Sequence, residues 1–227
     1  MRRRRSSSVW MILPLYIFTI VFVAGPLIYM VALSFSRSAE TFGVEWAFTL
    51  ENYKKILEPV YLETFLESFQ LALTSTAIIC LLGYPFGYFM AKLSEGWKKK
   101  VMIFLMLPFW INSLIRLYGW IIILQNKGVL NYILQKLGII EKPLRILYSY
   151  PAIVVGMVYV LLPFMILSVY SSAEKLDWSL VEAARDLGAS KMKAFWTVSF
   201  KLTIPGLLSG ILLPFIPSMG LFFIADI

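Results

Sequence analysis

The stretch Tyr148–Ser171 has the sequence YSYPAIVVGMVYVLLPFMILSVYS and contains no charged residue. A helix needs about 20 predominantly apolar residues to cross the hydrocarbon core of a bilayer. The apolar residues of this stretch follow one another without the alternation typical of a barrel strand. The stretch therefore predicts a transmembrane helix.

Apolar residues are concentrated in four further blocks of similar length. Hydrophobic residues make up 59% of the 227 residues and charged residues only 15%, whereas a soluble domain has about 45–50% and about 25%. We therefore predict an all-α integral membrane protein, a polytopic helical bundle forming a single domain over residues 1–227. Its other four predicted spans are 9–35, 68–93, 101–124 and 202–225.

Cysteine and histidine usage excludes two kinds of site. The chain has no histidine, and its one cysteine, Cys80, lies inside the second predicted span. A disulfide or a Cys/His metal site within the chain is therefore not expected. The run Arg2–Arg5 superficially resembles the start of a secretory signal, but the apolar block after it is too long for a signal and no A-x-A cleavage site follows. A retained first helix is the better interpretation.

The basic residues predict the orientation of the chain. With a cytoplasmic N-terminus, the inner segments are 1–8, 92–100 and 172–201. They carry thirteen basic residues: Arg2, Arg3, Arg4, Arg5, Lys92, Lys98, Lys99, Lys100, Lys175, Arg185, Lys191, Lys193 and Lys201. The outer segments carry seven: Arg37, Lys54, Lys55, Lys127, Lys136, Lys142 and Arg145. The positive-inside rule then predicts a multi-pass membrane protein with its N-terminus in the cytoplasm.

The formal net charge of +8 is explained by this topology and by anionic lipid, which we expect as a partner. No basic patch stands on a soluble domain, so nucleic-acid binding is not expected.

A polar, helix-forming segment, Ser179–Ser190, separates the fourth and fifth predicted spans. Ser179 and Glu182 have the S-x-x-E spacing of a capping box, and Gly188 can end the helix in the left-handed conformation. Ser190 can then cap a second helix. Ala183 and Ala184 offer a flat surface on which another protein could pack. A plain hairpin between two spans would have the same local pattern, so the physics of the segment leaves both interpretations open.

The triplet Glu182-Ala183-Ala184, followed after three residues by Gly188, resembles the signature loop of binding-protein-dependent ABC importer permeases. Lys201 stands where the wider family pattern has a proline. Four further stretches resemble the first permease subunit of spermidine/putrescine importers: Thr49–Tyr53, Leu82–Phe86, Leu107–Arg116 and Leu161–Met165.

This resemblance implies the partners. We expect a second permease subunit, two copies of an ABC ATPase and an extracytoplasmic substrate-binding protein. It also implies that the cytoplasmic loop 172–201 couples to the ATPase through five residues: Glu182, Ala183, Ala184, Asp186 and Gly188. The chain contains no G-x-x-x-x-G-K-[ST] sequence to cradle nucleotide phosphates, so we expect no cofactor and no enzymatic activity in it, with Mg-ATP bound by the partner ATPase.

A polyamine crossing the membrane needs carboxylates, polar groups or aromatic faces along its path. The candidate pathway residues are Trp110, Asn112, Ser113, Tyr159 and Asp226. Arg116 would repel a polycation, so we expect its side chain to extend outward or to pair with an outer carboxylate.

Two alternatives remain open at this stage. The solute could instead be a sulfate, iron, sugar or phosphonate compound. The resemblance also implies six spans where five are predicted, so the 227-residue sequence could be a truncated fragment that lacks the sixth span and does not transport.

Overall fold

The computed structural model describes residues 4–38 and 43–220, which are mostly helical. The chain divides into two compact units, residues 1–66 and 67–227. The helices in chain order are α1 (Arg4–Thr19), a π-helical turn (Ile20–Ala24), α2 (Gly25–Ser34), α3 (Glu51–Ile56), α4 (Pro59–Met90), α5 (Glu95–Met106), a 3₁₀ turn (Leu107–Trp110), α6 (Ser113–Leu124), α7 (Val129–Lys136), α8 (Tyr150–Glu174), α9 (Trp178–Asp186), α10 (Lys191–Ala194), a second π-helical turn (Phe195–Ser199) and α11 (Phe200–Ser218).

Within residues 4–38 and 43–220, four helices are long and apolar enough to cross a membrane: Ile12–Ser34, Pro59–Met90, Tyr150–Glu174 and Lys191–Ser218. They correspond to four of the five predicted spans and confirm the predicted helical membrane fold. Two of these helices begin well before the predicted spans that they contain: one begins at Pro59, and the last begins at Lys191.

The predicted span 101–124 is not one straight helix. The helical pair Glu95–Trp110 and Leu114–Lys136 is bent by 94° and counts as a fifth span only if its two parts are taken together. Pro108 lies in the 3₁₀ turn after α5, and Ile111 is extended, with ψ 133°. Since proline lacks a backbone N–H and its ring blocks the preceding turn, the helix breaks here.

In the first unit, Asn52 ties α3 to the end of α2. Its side-chain amide donates to the carbonyl oxygens of Ser34 at 3.1 Å and Ser36 at 2.9 Å. Phe35 and Phe48 stack with ring centroids 5.5 Å apart. Two short strands, β1 (Arg37–Ser38) and β2 (Val44–Glu45), pair antiparallel.

In the second unit, α8 is the central helix. In its most apolar stretch of 18 residues, half of the residues are buried inside the protein, compared with 22% for α4 and 28% for the helix Lys191–Ser218. Small residues let both neighbours approach it closely, as is typical of membrane helices. Gly83 and Gly87 of α4 lie against Met165 and the carbonyl oxygen of Ile166, respectively.

The contact between α8 and α11 uses the same device. Gly206 lies against Ser168 and Ser172 of α8, and Gly210 lies against Met165 and Ser168. The Ser168 and Ser209 hydroxyls are 2.7 Å apart and share a hydrogen bond.

The short helix α7 follows α6 after four residues. Asn131 is its fixed point, because its side chain is 1% exposed and fully hydrogen-bonded. The amide nitrogen donates to the carbonyl oxygens of Gln125 and Leu144, and the amide oxygen accepts from the Leu144 N–H at 2.8 Å. The loop from α6 to α8 is therefore closed by one buried amide.

Candidate coupling surface and transport pathway

The helix α9 begins one residue after Asp177. The Asp177 carboxylate accepts a hydrogen bond from the Ser179 N–H at 3.0 Å, and hydrogen bonds from Ser179 hold the pKa of this carboxyl below its usual range. The predicted capping box is therefore wrong, because Ser179 lies inside the helix. Trp178 explains the earlier start, since its indole packs against the core cluster of α4 and α8.

The end of α9 follows the prediction. Gly188 has φ +85°, a conformation that glycine adopts at little cost. The Gly188 N–H donates to the Arg185 carbonyl at 2.9 Å, and the Ala189 N–H donates to the Ala184 carbonyl at 3.1 Å. These two bonds form a Schellman motif. The Ser190 hydroxyl then accepts from the Lys193 N–H at 3.3 Å, which confirms the predicted cap of α10.

The helix α9 has an outer apolar face. Leu180, Ala183 and Leu187 follow the i, i+3, i+7 spacing that places residues on one side of a helix. Leu180 is 47% exposed and Leu187 is 90% exposed, so the described parts of the chain leave this face uncovered. The opposite side carries Trp178 and Val181, which face the bundle.

The five predicted coupling residues lie together on α9 and its terminal turn. Glu182, Ala183, Asp186 and Gly188 are exposed, and Ala184 is half-buried. Of the five, Glu182 and Asp186 line a groove together with Arg185 and Lys191.

The loop 172–201, called the coupling segment below, lies at the same end of the bundle as the turn between α4 and α5. Lys98 Nζ is 2.9 Å from Glu95 Oε1 and 3.8 Å from Glu174 Oε1, at the end of α8. Two of the three predicted inner segments, 92–100 and 172–201, are thus neighbours in space.

Among the predicted pathway residues, Trp110 and Asn112 lie at the bend between α5 and α6. Trp110 is 90% exposed. The Asn112 side-chain oxygen accepts from the Leu114 N–H at 2.9 Å and caps α6. Ser113 is the first residue of α6, and its side chain lies outside what the structure describes, as does the whole of Asp226.

Tyr159 of α8 lies elsewhere. Its ring stacks on Trp120 with centroids 5.5 Å apart and planes 10° apart, about two turns along α6 from Asn112. The predicted pathway residues that the structure describes therefore form two groups rather than one. The guanidinium of Arg116 lies over the Phe109 ring at 5.5 Å. Its Nε is buried, and no hydrogen-bond partner occurs among the described residues, so the expected carboxylate pairing is not seen there.

Sequence reasoning missed the polar contacts between α4 and the last helix. Tyr84 and Thr203 are joined by a hydroxyl–hydroxyl hydrogen bond of 2.8 Å, and Tyr88 donates to the Ser199 hydroxyl at 3.0 Å. The two tyrosines are four residues apart on α4, and their partners Ser199 and Thr203 are four residues apart on the last helix. That repeat of polar side chains within apolar segments was the available signal.

A bundle of apolar helices with an uncovered amphipathic helix at one end defines a multi-pass membrane protein. The family described as "Binding-protein-dependent transport system inner membrane component" matches residues 83–227, which include this helix. The chain belongs to that family, and it is therefore a multi-pass inner-membrane permease subunit of a transporter.

Curated relatives match nearly the whole chain. It is 46% identical over 208 residues to the spermidine/putrescine transport system permease protein PotB of Salmonella typhimurium, covering 92% of this chain and 72% of the relative. It is 45% identical to PotB of Escherichia coli over the same share of this chain and 76% of the relative. An inner membrane ABC transporter permease protein of Escherichia coli, YdcU, is 30% identical, with 82% of this chain and 64% of the relative covered.

A solved structure shows the same fold at low sequence identity. The crystal structure of a bacterial ABC transporter that imports the acidic polysaccharide alginate matches with a TM-score of 0.69 and 18% identity, covering 97% of this chain and 76% of that one.

Proposed function

We propose that this chain is a permease subunit of an ATP-driven importer of polyamines, spermidine or putrescine, and that α9 docks on the ATPase subunit. The identity of 43–46% to spermidine/putrescine permeases carries the substrate class. A sulfate permease relative is only 24% identical over 163 residues, which favours the polyamine over that alternative.

The uncovered apolar face of α9 supports the docking. A leucine that is 90% exposed at a water-facing turn gains free energy when a partner removes it from water, by about 1.5–3 kcal/mol for full burial. Ala183 next to it lets a partner backbone approach closely. Glu182 and Asp186 stand beside this face and add polar contacts at its edge.

The complete transporter contains a second permease subunit, two ATPase copies that bind Mg-ATP, and an extracytoplasmic binding protein. The family description itself names dependence on a binding protein. An alginate transporter of similar fold was solved in complex with a periplasmic protein.

The N-terminus lies in the cytoplasm in this proposal, and the end of the bundle that carries α9 faces the ATPase. The ion pair between Lys98 and Glu174 supports this orientation, because it brings the basic segments 92–100 and 172–201 to the same end of the bundle. Both segments then lie on the cytoplasmic side, as the positive-inside rule expects.

The test compares two variants that each place a glutamine at an exposed position of the coupling segment. Leu187→Gln removes the apolar docking side chain, whereas Lys193→Gln alters α10 away from that face. Both are expressed with all other transporter subunits in cells without polyamine uptake. We expect Leu187→Gln to weaken ATPase co-purification roughly tenfold or more and to lower spermidine uptake, with Lys193→Gln close to the parent.

Normal ATPase retention and normal uptake in Leu187→Gln would overturn the docking proposal. Uptake of sulfate but not of spermidine or putrescine by the parent transporter would overturn the substrate assignment.

A further inference from the structure

We propose that a pocket between the end of α4 and the helices α9–α10 binds the phosphate headgroup of an anionic phospholipid. The pocket has a volume of about 690 Å³, within the range of about 300–1,000 Å³ common for small-ligand sites. Its walls include Tyr84, Phe89, Lys92, Arg185, Lys191 and Phe195.

The pocket is strongly positive. Lys92, Arg185 and Lys191 line it, and no carboxylate is among its lining residues in the described parts of the chain. In the described parts of the chain, no carboxylate oxygen lies within 4.0 Å of a side-chain nitrogen of any of these three cations. Three cations in one pocket whose lining contains no carboxylate favour a bound anion.

Aromatic rings position Lys92 without neutralising it. Its Nζ lies 4.4 Å from the centroid of the Tyr88 ring and 5.0 Å from that of Trp178. A cation–π contact attracts the ammonium group but supplies no negative charge. Lys92 therefore remains available to a phosphate while its position is fixed between α4 and α9.

An adjacent groove shows the contrast. Arg185 and Lys191 also line this groove, together with Glu182 and Asp186, so its charges balance. Lys92 belongs to the lining of the pocket that has no carboxylate. An anion is thus drawn to the Lys92 side of α9, while the acidic side stays free for a protein partner.

The remaining walls favour a lipid over a soluble anion. Tyr84 and Phe89 belong to α4, which is long and apolar enough to cross the membrane, and Phe89 is 62% exposed. A phosphate held by Lys92 leaves the acyl chains to run along the apolar surface of α4. Basic pockets between membrane helices on the cytoplasmic side bind anionic headgroups in this way. This step rests on the proposed orientation, which places the pocket at the cytoplasmic leaflet.

A lipid in this position would connect the membrane bundle with the coupling segment. Lys92 belongs to the end of α4, whereas Arg185 and Lys191 belong to the coupling segment. One phosphate between them would hold α9 at a defined distance from the membrane bundle.

The test uses the assembled transporter with dioleoyl-phosphatidylglycerol as the probe and dioleoyl-phosphatidylcholine for comparison. Native mass spectrometry counts the lipids retained after detergent exchange. The double variant Lys92→Gln/Lys191→Gln is compared with Lys193→Gln/Lys201→Gln, which removes the same charge from outside the pocket. Each lysine near an anionic lipid contributes roughly a fivefold gain in affinity, so we expect about thirtyfold weaker phosphatidylglycerol retention in the pocket variant only. Lys92→Arg keeps the charge and retains the lipid.

Three results would overturn the proposal: equal loss in both double variants, equal retention of phosphatidylcholine and phosphatidylglycerol, or displacement of the lipid by millimolar inorganic phosphate. Leu187→Gln, which tests the docking of α9, should leave lipid retention unchanged, so the two proposals fail separately.

Discussion

The close packing of α8 and α11 predicts that Gly206→Ala destabilises the bundle. An added Cβ would lie 2.6 Å from Ser172 Cβ and 2.8 Å from the backbone oxygen of Ser168, whereas ordinary van der Waals contact begins at 3.4 Å. The two helices therefore have to separate by several tenths of an ångström. Overpacking of this kind costs about 1–3 kcal/mol.

Alanine also has a higher helix propensity than glycine, by about 0.8–1 kcal/mol, which partly hides this cost. Gly119→Ala in α6 is the matched control, because nothing lies within 4 Å of its added Cβ. Both variants gain the same propensity, so their difference isolates the overpacking. At roughly 2–4 °C per kcal/mol for a chain of this size, Gly206→Ala should melt about 2–12 °C below Gly119→Ala.

The single cysteine provides the assay. Cys80 is partly buried against the core of α4 and α8, so a thiol-reactive fluorophore labels it as the bundle unfolds. Ser172→Gly should reduce the cost of Gly206→Ala, because it removes the nearest clashing side chain. Equal melting temperatures for Gly206→Ala and Gly119→Ala would refute the packing argument.

Two further changes test the coupling segment, and a third tests its contact with α4. Gly188→Ala forces a left-handed conformation that costs about 1–2 kcal/mol, so we expect weaker ATPase co-purification, whereas Gly96→Ala, at a glycine with open space around it, should behave as the parent. Asp177→Ala removes the cap of α9 and should reduce ATPase retention, whereas Asp177→Asn should restore it. Because the pKa of the Asp177 carboxyl is lowered on folding, the charged cap stabilises α9 above the unfolded pKa, and this stabilisation is lost as the pH falls through the folded pKa. Unchanged ATPase retention in Asp177→Ala would contradict this role of the cap. Tyr88→Phe leaves the buried Ser199 hydroxyl without its donor and should lower the unfolding free energy by about 0.5–1.5 kcal/mol, measured by thermal melting; an unchanged melting temperature would contradict that hydrogen bond.

Hydropathy predicted the helical spans because a bilayer demands long apolar helices whatever their packing. The predicted stretch 148–171 and α8 (Tyr150–Glu174) differ by only two or three residues at each end. The same method does not detect the break after Pro108, since the residues on both sides are equally apolar. Asn112, which caps α6, was noted in the sequence as a pathway candidate rather than as a helix start.

The coupling segment shows a second limit. Local chemistry predicted Gly188 as the turn and Ser190 as the cap of α10, because both roles depend on neighbouring backbone alone. The predicted start of α9 at Ser179 was wrong, because Asp177 and Ser179 are both good capping residues and a tertiary contact decides between them. Trp178 reaches the core only if the helix has already begun at that residue.

Tyr88 is the residue at which the coupling segment meets the membrane bundle. Its ring centroid lies 5.8 Å from that of Trp178 in α9 and 5.2 Å from that of Phe195 before α11, and its hydroxyl donates to Ser199. Packed aromatic rings do not deform continuously, so a displacement of α9 by a partner must either carry the end of α4 and the start of the last helix with it or break these contacts. In the proposed function, a force on α9 would therefore reach two membrane helices at once. The sequence does carry a signal for that link, which is the i, i+4 repeat of Tyr84 and Tyr88 along an otherwise apolar span.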